Sequence, residues 1–230
     1  MVVVLVASMY ILFLAIDAVL DRRKRSLRAA ETQARHAKLR EATPRFAAGY
    51  ALPEDLHFHQ GHTWLHWVSP EEAYVGVDDF GRRLIGTDSR VTPPNRGSWV
   101  HQGEHAAKVQ HEGREVHLLS PVSGEVVGVN PELKNDPSLI NKDSYGRGWI
   151  FKIRAADLHQ QISNLLSGSL AQRWMEDTRD RFQRQLMMAS GSVIQDGGVP
   201  VDDVASQLDA AQWQQLAGQF FELQNSSSAD

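Results

Sequence analysis

Cysteine is missing from all 230 residues. This excludes disulfides, thiolate nucleophiles and cysteine-ligated zinc or iron–sulfur centres, and it leaves the compartment open. A strong charge of either sign is missing too: 24 Lys+Arg stand against 28 Asp+Glu, a formal −4. That balance gives no electrostatic ground to expect a nucleic-acid partner. No Gly-rich phosphate loop, Ser-His-Asp order or paired-carboxylate site is present, so the sequence offers no catalytic residues and reads as non-enzymatic. Nor does any basic residue precede the one long apolar run, MVVVLVASMYILFLAIDAVL.

That run, residues 1–20, is broken by a single acid, Asp17. A membrane-spanning helix needs about 20 such residues, so it just suffices. A cleaved signal or a buried core helix is the competing reading, but a secretory signal carries its positive charge in front. Here Arg22, Arg23, Lys24 and Arg25 follow instead. The positive-inside rule then places the N-terminus outside and the soluble part in the cytoplasm, as a single-pass protein of the cell membrane. Residues 21–55 read as a basic helical stalk and linker: Arg22 to Arg40 is rich in Ala, Arg, Lys and Glu, and Thr43-Pro44 stops it. The stalk's basic side chains can also meet anionic headgroups.

From about Leu56 to Ile153 short apolar segments alternate with Gly, Pro and Asn, which predicts β structure. Strands are expected at Trp64–Val68, Ala73–Val77, His105–Gln110, Val116–Leu119, Glu125–Val129 and Trp149–Ile153, with a short helix over Asp79–Ile85. Helical texture returns after Ala155. Leu158, Ile162, Leu165 and Leu166 fall on one face, and a second run passes through Trp174, Phe182 and Leu186. SGSVIQDGGVPVDD is a loop by composition. A last helix is expected from Val201 to Leu223, capped by Asp202 or Asp203, before the polar tail NSSSAD.

The middle of the chain carries an ordered series of motifs: His62-Thr63-Trp64, then Val75-Gly76-Val77-Asp78-Asp79-Phe80, then Leu84-Ile85-Gly86. After these come Pro94, Gly97, Val100, Gly103 and Glu104, then Ser120-Pro121-Val122-Ser123-Gly124-Glu125-Val126. Pro137-Ser138-Leu139-Ile140-Asn141 and Tyr145-Gly146-Arg147-Gly148-Trp149-Ile150 complete the series. It resembles the glycine cleavage system H protein family, the lipoyl carriers of that complex. The resemblance implies a mainly β barrel-sandwich hybrid of the lipoyl type over residues 56–160. To this the pattern above adds an N-terminal transmembrane helix and a helical C-terminal extension, residues 161–230, with its polar tail.

The same resemblance locates a loss. Counted without gaps from Gly103-Glu104 to Pro121, the family's lipoyl-lysine position falls on Gly113. Arg114 cannot substitute, because a guanidinium stays protonated where an amide must form on a neutral amine. Lys108, the nearest lysine, is five residues upstream, within the expected rising strand. No cofactor is therefore expected. Glu112-Gly113-Arg114-Glu115 is expected to close a tight hairpin, with Gly113 at the first central position where φ must be positive. These four residues are the candidate interaction site.

Other clusters point less far. His57, His59, His62 and His66 lie within ten positions, but no helical period brings them together, and packing or surface roles are expected rather than metal. His111 and His117 flank the hairpin tip as a pH-responsive patch or simply as exposed polar groups. Trp174, Met175, Met187, Met188, Trp213, Phe220 and Phe221 are either core or a face awaiting a protein partner. Three functions remain: a non-lipoylated, membrane-tethered scaffold or interaction subunit, a lipoyl carrier of a glycine-cleavage-like complex, and a periplasmic adaptor of an efflux pump. The adaptors split their lipoyl halves with a long helical hairpin.

Overall fold

A computed structural model describes residues 45–87, 89–190, 204, 206 and 208–222, the side chains of 189 and 190 excepted. The expected anchor, residues 1–20, and most of the stalk lie outside the described residues. Among the described residues no helix is long and apolar enough to cross a membrane.

In chain order the elements are β1 (Arg45–Ala47), β2 (Tyr50–Leu52), β3 (His57–Phe58), β4 (Thr63–Ser69), β5 (Glu72–Val77), α1 (Asp79–Ile85), β6 (Arg90–Thr92) and β7 (Trp99–Val100). There follow β8 (His105–His111), β9 (Arg114–Leu119), β10 (Gly124–Val129), α2 (Glu132–Asn135), α3 (Leu139–Lys142), β11 (Phe151–Arg154), α4 (Leu158–Ile162), α5 (Gly168–Ser190) and α6 (Ala210–Phe221). Six strands pair in the order β3-β4-β5-β11-β10-β7, three in the order β6-β8-β9, and β1 pairs with β2. The result is the mainly β sandwich expected from the sequence.

The core is made by large apolar side chains on both faces of the strands. Trp64, Leu65, Val75, Val77, Val109, Leu118, Val126 and Ile153 are all fully buried. Trp64 is the anchor. Its indole Nε1 donates to Val77 O at 2.9 Å and to Ser144 O at 3.2 Å, so the ring is buried with its one donor satisfied. Its cross-strand partner is Gly76. A Cβ there would sit 2.4 Å from the indole Cζ2, so glycine is what lets the ring lie flat against the neighbouring strand.

Asp78 ends β5 and starts α1 as its N-cap, accepting the Gly81 amide at 2.7 Å. Tyr145 then ties in the hairpin formed by β1 and β2: its hydroxyl donates to Ala51 O at 2.6 Å and accepts from Asp79 N at 2.8 Å. The sequence reading puts Arg45–Leu52 in a linker. The chain has strands there because Ala47, Tyr50 and Leu52 are buried against the body.

Two helices of the C-terminal extension complete the core. On α5, Ala171, Met175, Thr178 and Phe182 are buried at spacings of four, three and four, one helical face. On α6, Trp213, Leu216, Ala217, Phe220 and Phe221 form a similar face. These aromatics are core rather than a waiting surface, whereas Met187 and Met188, near the end of α5, are exposed. The last helix starts later than expected. Its cap is Asp209, whose carboxylate accepts from Ala211 N and Gln212 N while the Gln212 side chain answers the Asp209 amide, a complete capping box. Asp202 and Asp203 lie outside the described residues.

Candidate functional site: the tip of the β8–β9 hairpin

β8 and β9 pair antiparallel with His111 opposite Arg114, so only Glu112 and Gly113 form the turn. Their φ angles are +45° and +77°. Two successive positive values mark a type I′ turn, which matches the right-handed twist of the strands. The expectation had Gly113 and Arg114 as the central pair. The turn lies one residue earlier because Arg114 already joins the ladder, and Gly113 takes the second central place. With two residues between the halves, no helical hairpin of the adaptor kind separates them.

Strand alternation sorts the side chains near the tip. Val109 and Val116 face the core, while Lys108 and Glu115 face outward and pair at 2.8 Å. Gln110 donates to the same carboxylate at 3.4 Å. The Lys108 hydrogen bond chiefly holds the Glu115 carboxyl below its ordinary value. Lys108 thus sits in a strand, engaged with its neighbour and not presented on the turn. Gly113 faces open space, since a Cβ built on it would meet nothing within 4 Å.

His111, expected as an exposed flank, is buried. Its Nδ1 lies 2.9 Å from Ser89 Oγ, and that hydroxyl donates its only proton to Ile85 O. The histidine must therefore donate from Nδ1, which fixes its tautomer. Its ring packs against Trp213 of α6 at 5.0 Å. Trp213 itself donates to Leu84 O at 2.8 Å, holding α6 over the end of α1. Beside the tip, Arg114 donates to Gln214 Oε1 at 3.3 Å. Among the described strands β9 is an edge of its sheet, and α6 packs along it. Glu222 Oε1 caps the outward His117 amide at 3.0 Å. A covered edge cannot template further strands. The helix therefore flanks the tip on one side and leaves the turn itself open.

The four clustered histidines are dispersed to separate duties. His62 is fully buried, with Nδ1 2.9 Å from Asp78 Oδ2 and its ring between Phe80 and Trp174. His59 is buried and its Nδ1 accepts the Gly61 amide at 3.1 Å, which requires the neutral ring. Burial first, and the neighbouring His62 second, push its pKa down to about 4. Burial also lowers His57. Sequence reasoning missed a different grouping: His105, His117 and Glu222 place one ligand-type atom each within 4.8 Å of one another.

The family model described as "Glycine cleavage H-protein" matches residues 56–178. The glycine cleavage system H protein of Cronobacter sakazakii is 33% identical over 126 residues, covering 55% of this chain and 97% of that protein. That of Xylella fastidiosa is 38% identical over 116 residues, 50% of this chain and 88% of its own length. A crystal structure of a Mycobacterium marinum glycine cleavage system H protein aligns with a TM-score of 0.48 at 24% identity, over 56% of this chain and 99% of that one. Helix α6 and Glu222 lie outside the matched residues.

Proposed function

The chain belongs to the glycine cleavage H-protein family, and from that premise we propose that it is a member without an arm. On this reading it is a non-lipoylated scaffold or interaction subunit, non-catalytic, tethered to the cell membrane by residues 1–20 with its folded part in the cytoplasm. The observation that carries the reading is the hairpin turn. Where the family's lysine falls, Gly113 occupies a left-handed backbone position with no amine to acylate. A swinging arm needs a nucleophilic nitrogen there; a docking tip does not. The tip presents Glu112, Gly113, Arg114 and Glu115, stiffened on one flank by α6. Its chemistry suits a protein partner with a surface of mixed charge. The basic stalk of Arg22, Arg23, Lys24 and Arg25 would lie against anionic lipid.

The lipoyl-carrier reading is supported by family membership itself, and its only candidate amine in the hairpin is Lys108. The two readings part at the tip. In co-purification from host membranes, a partner retained by the wild type and lost on exchanging the charges of Arg114 and Glu115 supports the scaffold. Retention indifferent to that exchange, or no partner at all, overturns it. A reporter fused after Asp230 tests the topology, and reporter activity outside the cytoplasm would refute the orientation.

A further inference from the structure

We infer that His105, His117 and Glu222 form a divalent transition-metal site of the zinc class, which staples the end of α6 to the β8–β9 hairpin. The site does not depend on whether the chain carries an arm.

The register brings the two histidines together. His105 pairs with Leu119 but Ala107 already pairs with Leu118, so Ala106 is an extra residue, a bulge. Strict alternation would put His105 on the inward face with Ala107 and Val109. The bulge moves it to the outward face shared by Glu115 and His117. There the two imidazoles lie parallel, 4.3 Å apart with 3° between their planes. Glu222 then approaches from the end of α6, with its Oε1 3.4 Å from His117 Nδ1.

The surroundings prepare these groups as ligands. Glu115 Oε1 is 3.5 Å from His117 Nε2, placed to accept from an Nε2–H, the tautomer that leaves Nδ1, on the Glu222 side, free to bind a metal. A carboxylate behind a histidine ligand is the usual device for fixing its tautomer and raising its basicity. Glu222 is positioned by the His117 amide through Oε1, so Oε2 remains for the metal. Two imidazoles and one carboxylate are a zinc donor set, with water in the fourth place. Tetrahedral bonds of about 2.0–2.1 Å put donors about 3.3–3.4 Å apart. The atoms here, within 4.8 Å, reach that by rotamer adjustments open to partly exposed side chains.

The test uses the full chain, metal-stripped, with Zn²⁺ followed by calorimetry and Co²⁺ by visible absorption. One equivalent of Zn²⁺ and a tetrahedral Co²⁺ spectrum are expected. His105→Gln, His117→Gln and Glu222→Gln should each weaken binding on the order of ten-fold or more, while His66→Gln, on another sheet, leaves it unchanged. Saturating Zn²⁺ should also slow amide exchange in α6, by on the order of a hundred-fold when the free metal is about 100 Kd and exchange proceeds by release of the helix. No binding by chain that retains its circular dichroism overturns the proposal. So does one equivalent that survives all three substitutions.

Discussion

Replacing Gly113 by lysine puts an amine on the turn where the proposed function has lost one, and the structure sets the expected cost. A Cβ at Gly113 meets nothing within 4 Å, so no steric clash enters. What remains is the left-handed backbone at φ +77°, worth about 1–2 kcal/mol for a residue with a Cβ. The stiffer unfolded chain returns roughly 0.4–1 kcal/mol of that. Gly113→Lys should therefore lower stability by about 1 kcal/mol in urea titration, with the m-value unchanged. Gly113→Asn should cost less, because Asn tolerates this region, and Gly113→Val more, because its branched side chain does not. A lysine variant as stable as wild type would refute the type I′ assignment. A loss beyond about 3 kcal/mol would mean the tip is packed and not open. When co-expressed with a lipoylating enzyme, the variant should gain a lipoyl group at position 113, because α6 flanks the turn without covering it.

Acid should unsettle the core through His59. Its folded pKa, about 4, lies below the ordinary 6.5, so the unfolded chain binds the extra proton first. This contribution is complete above about pH 6.5 and is lost as pH falls towards 4, a change on the order of 3 kcal/mol. Chemical denaturation at pH 7 and pH 4.5 should show it, and His59→Gln should remove that part of the slope; an unchanged slope would contradict it. Trp213→Phe leaves Leu84 O without its donor inside the core and should cost about 1–3 kcal/mol. Amide exchange should quicken along β9, and β9 protection unaffected by the substitution would show that α6 does not cover that edge. Gly76→Ala drives a methyl into the Trp64 ring and should cost about 1–3 kcal/mol or more by thermal melting, against near-neutrality if the indole can tilt away.

What the sequence made legible was what local rules govern. The short apolar runs Trp64–Val68 and Ala73–Val77 located β4 and β5 within a residue or two, because runs of that length between turn residues are strand-like even where both faces are buried. The motif Val75 to Phe80 placed the strand-to-helix turn at Asp78, where the N-cap sits. The two- and three-residue strands β1, β2, β3, β6 and β7 were not legible, since so short a segment has no period to read. The turn was read one residue late because glycine fits either centre of a two-residue loop, and pairing across the hairpin decides between them. The same holds at the candidate metal site. His105 and His117 are neighbours only because of the bulge at Ala106, and Glu222 joins them only through the packing of a helix about a hundred residues further along the chain. His111 looked exposed because nothing local announces that Trp213 will cover it.

The most direct test of the central claim is a peptide mass map of the hairpin, Gln102 to Leu119, from chain purified from its own host. The account predicts an unmodified mass throughout. Octanoyl or lipoyl on Lys108, or on any residue between Gln110 and Val116, would contradict it.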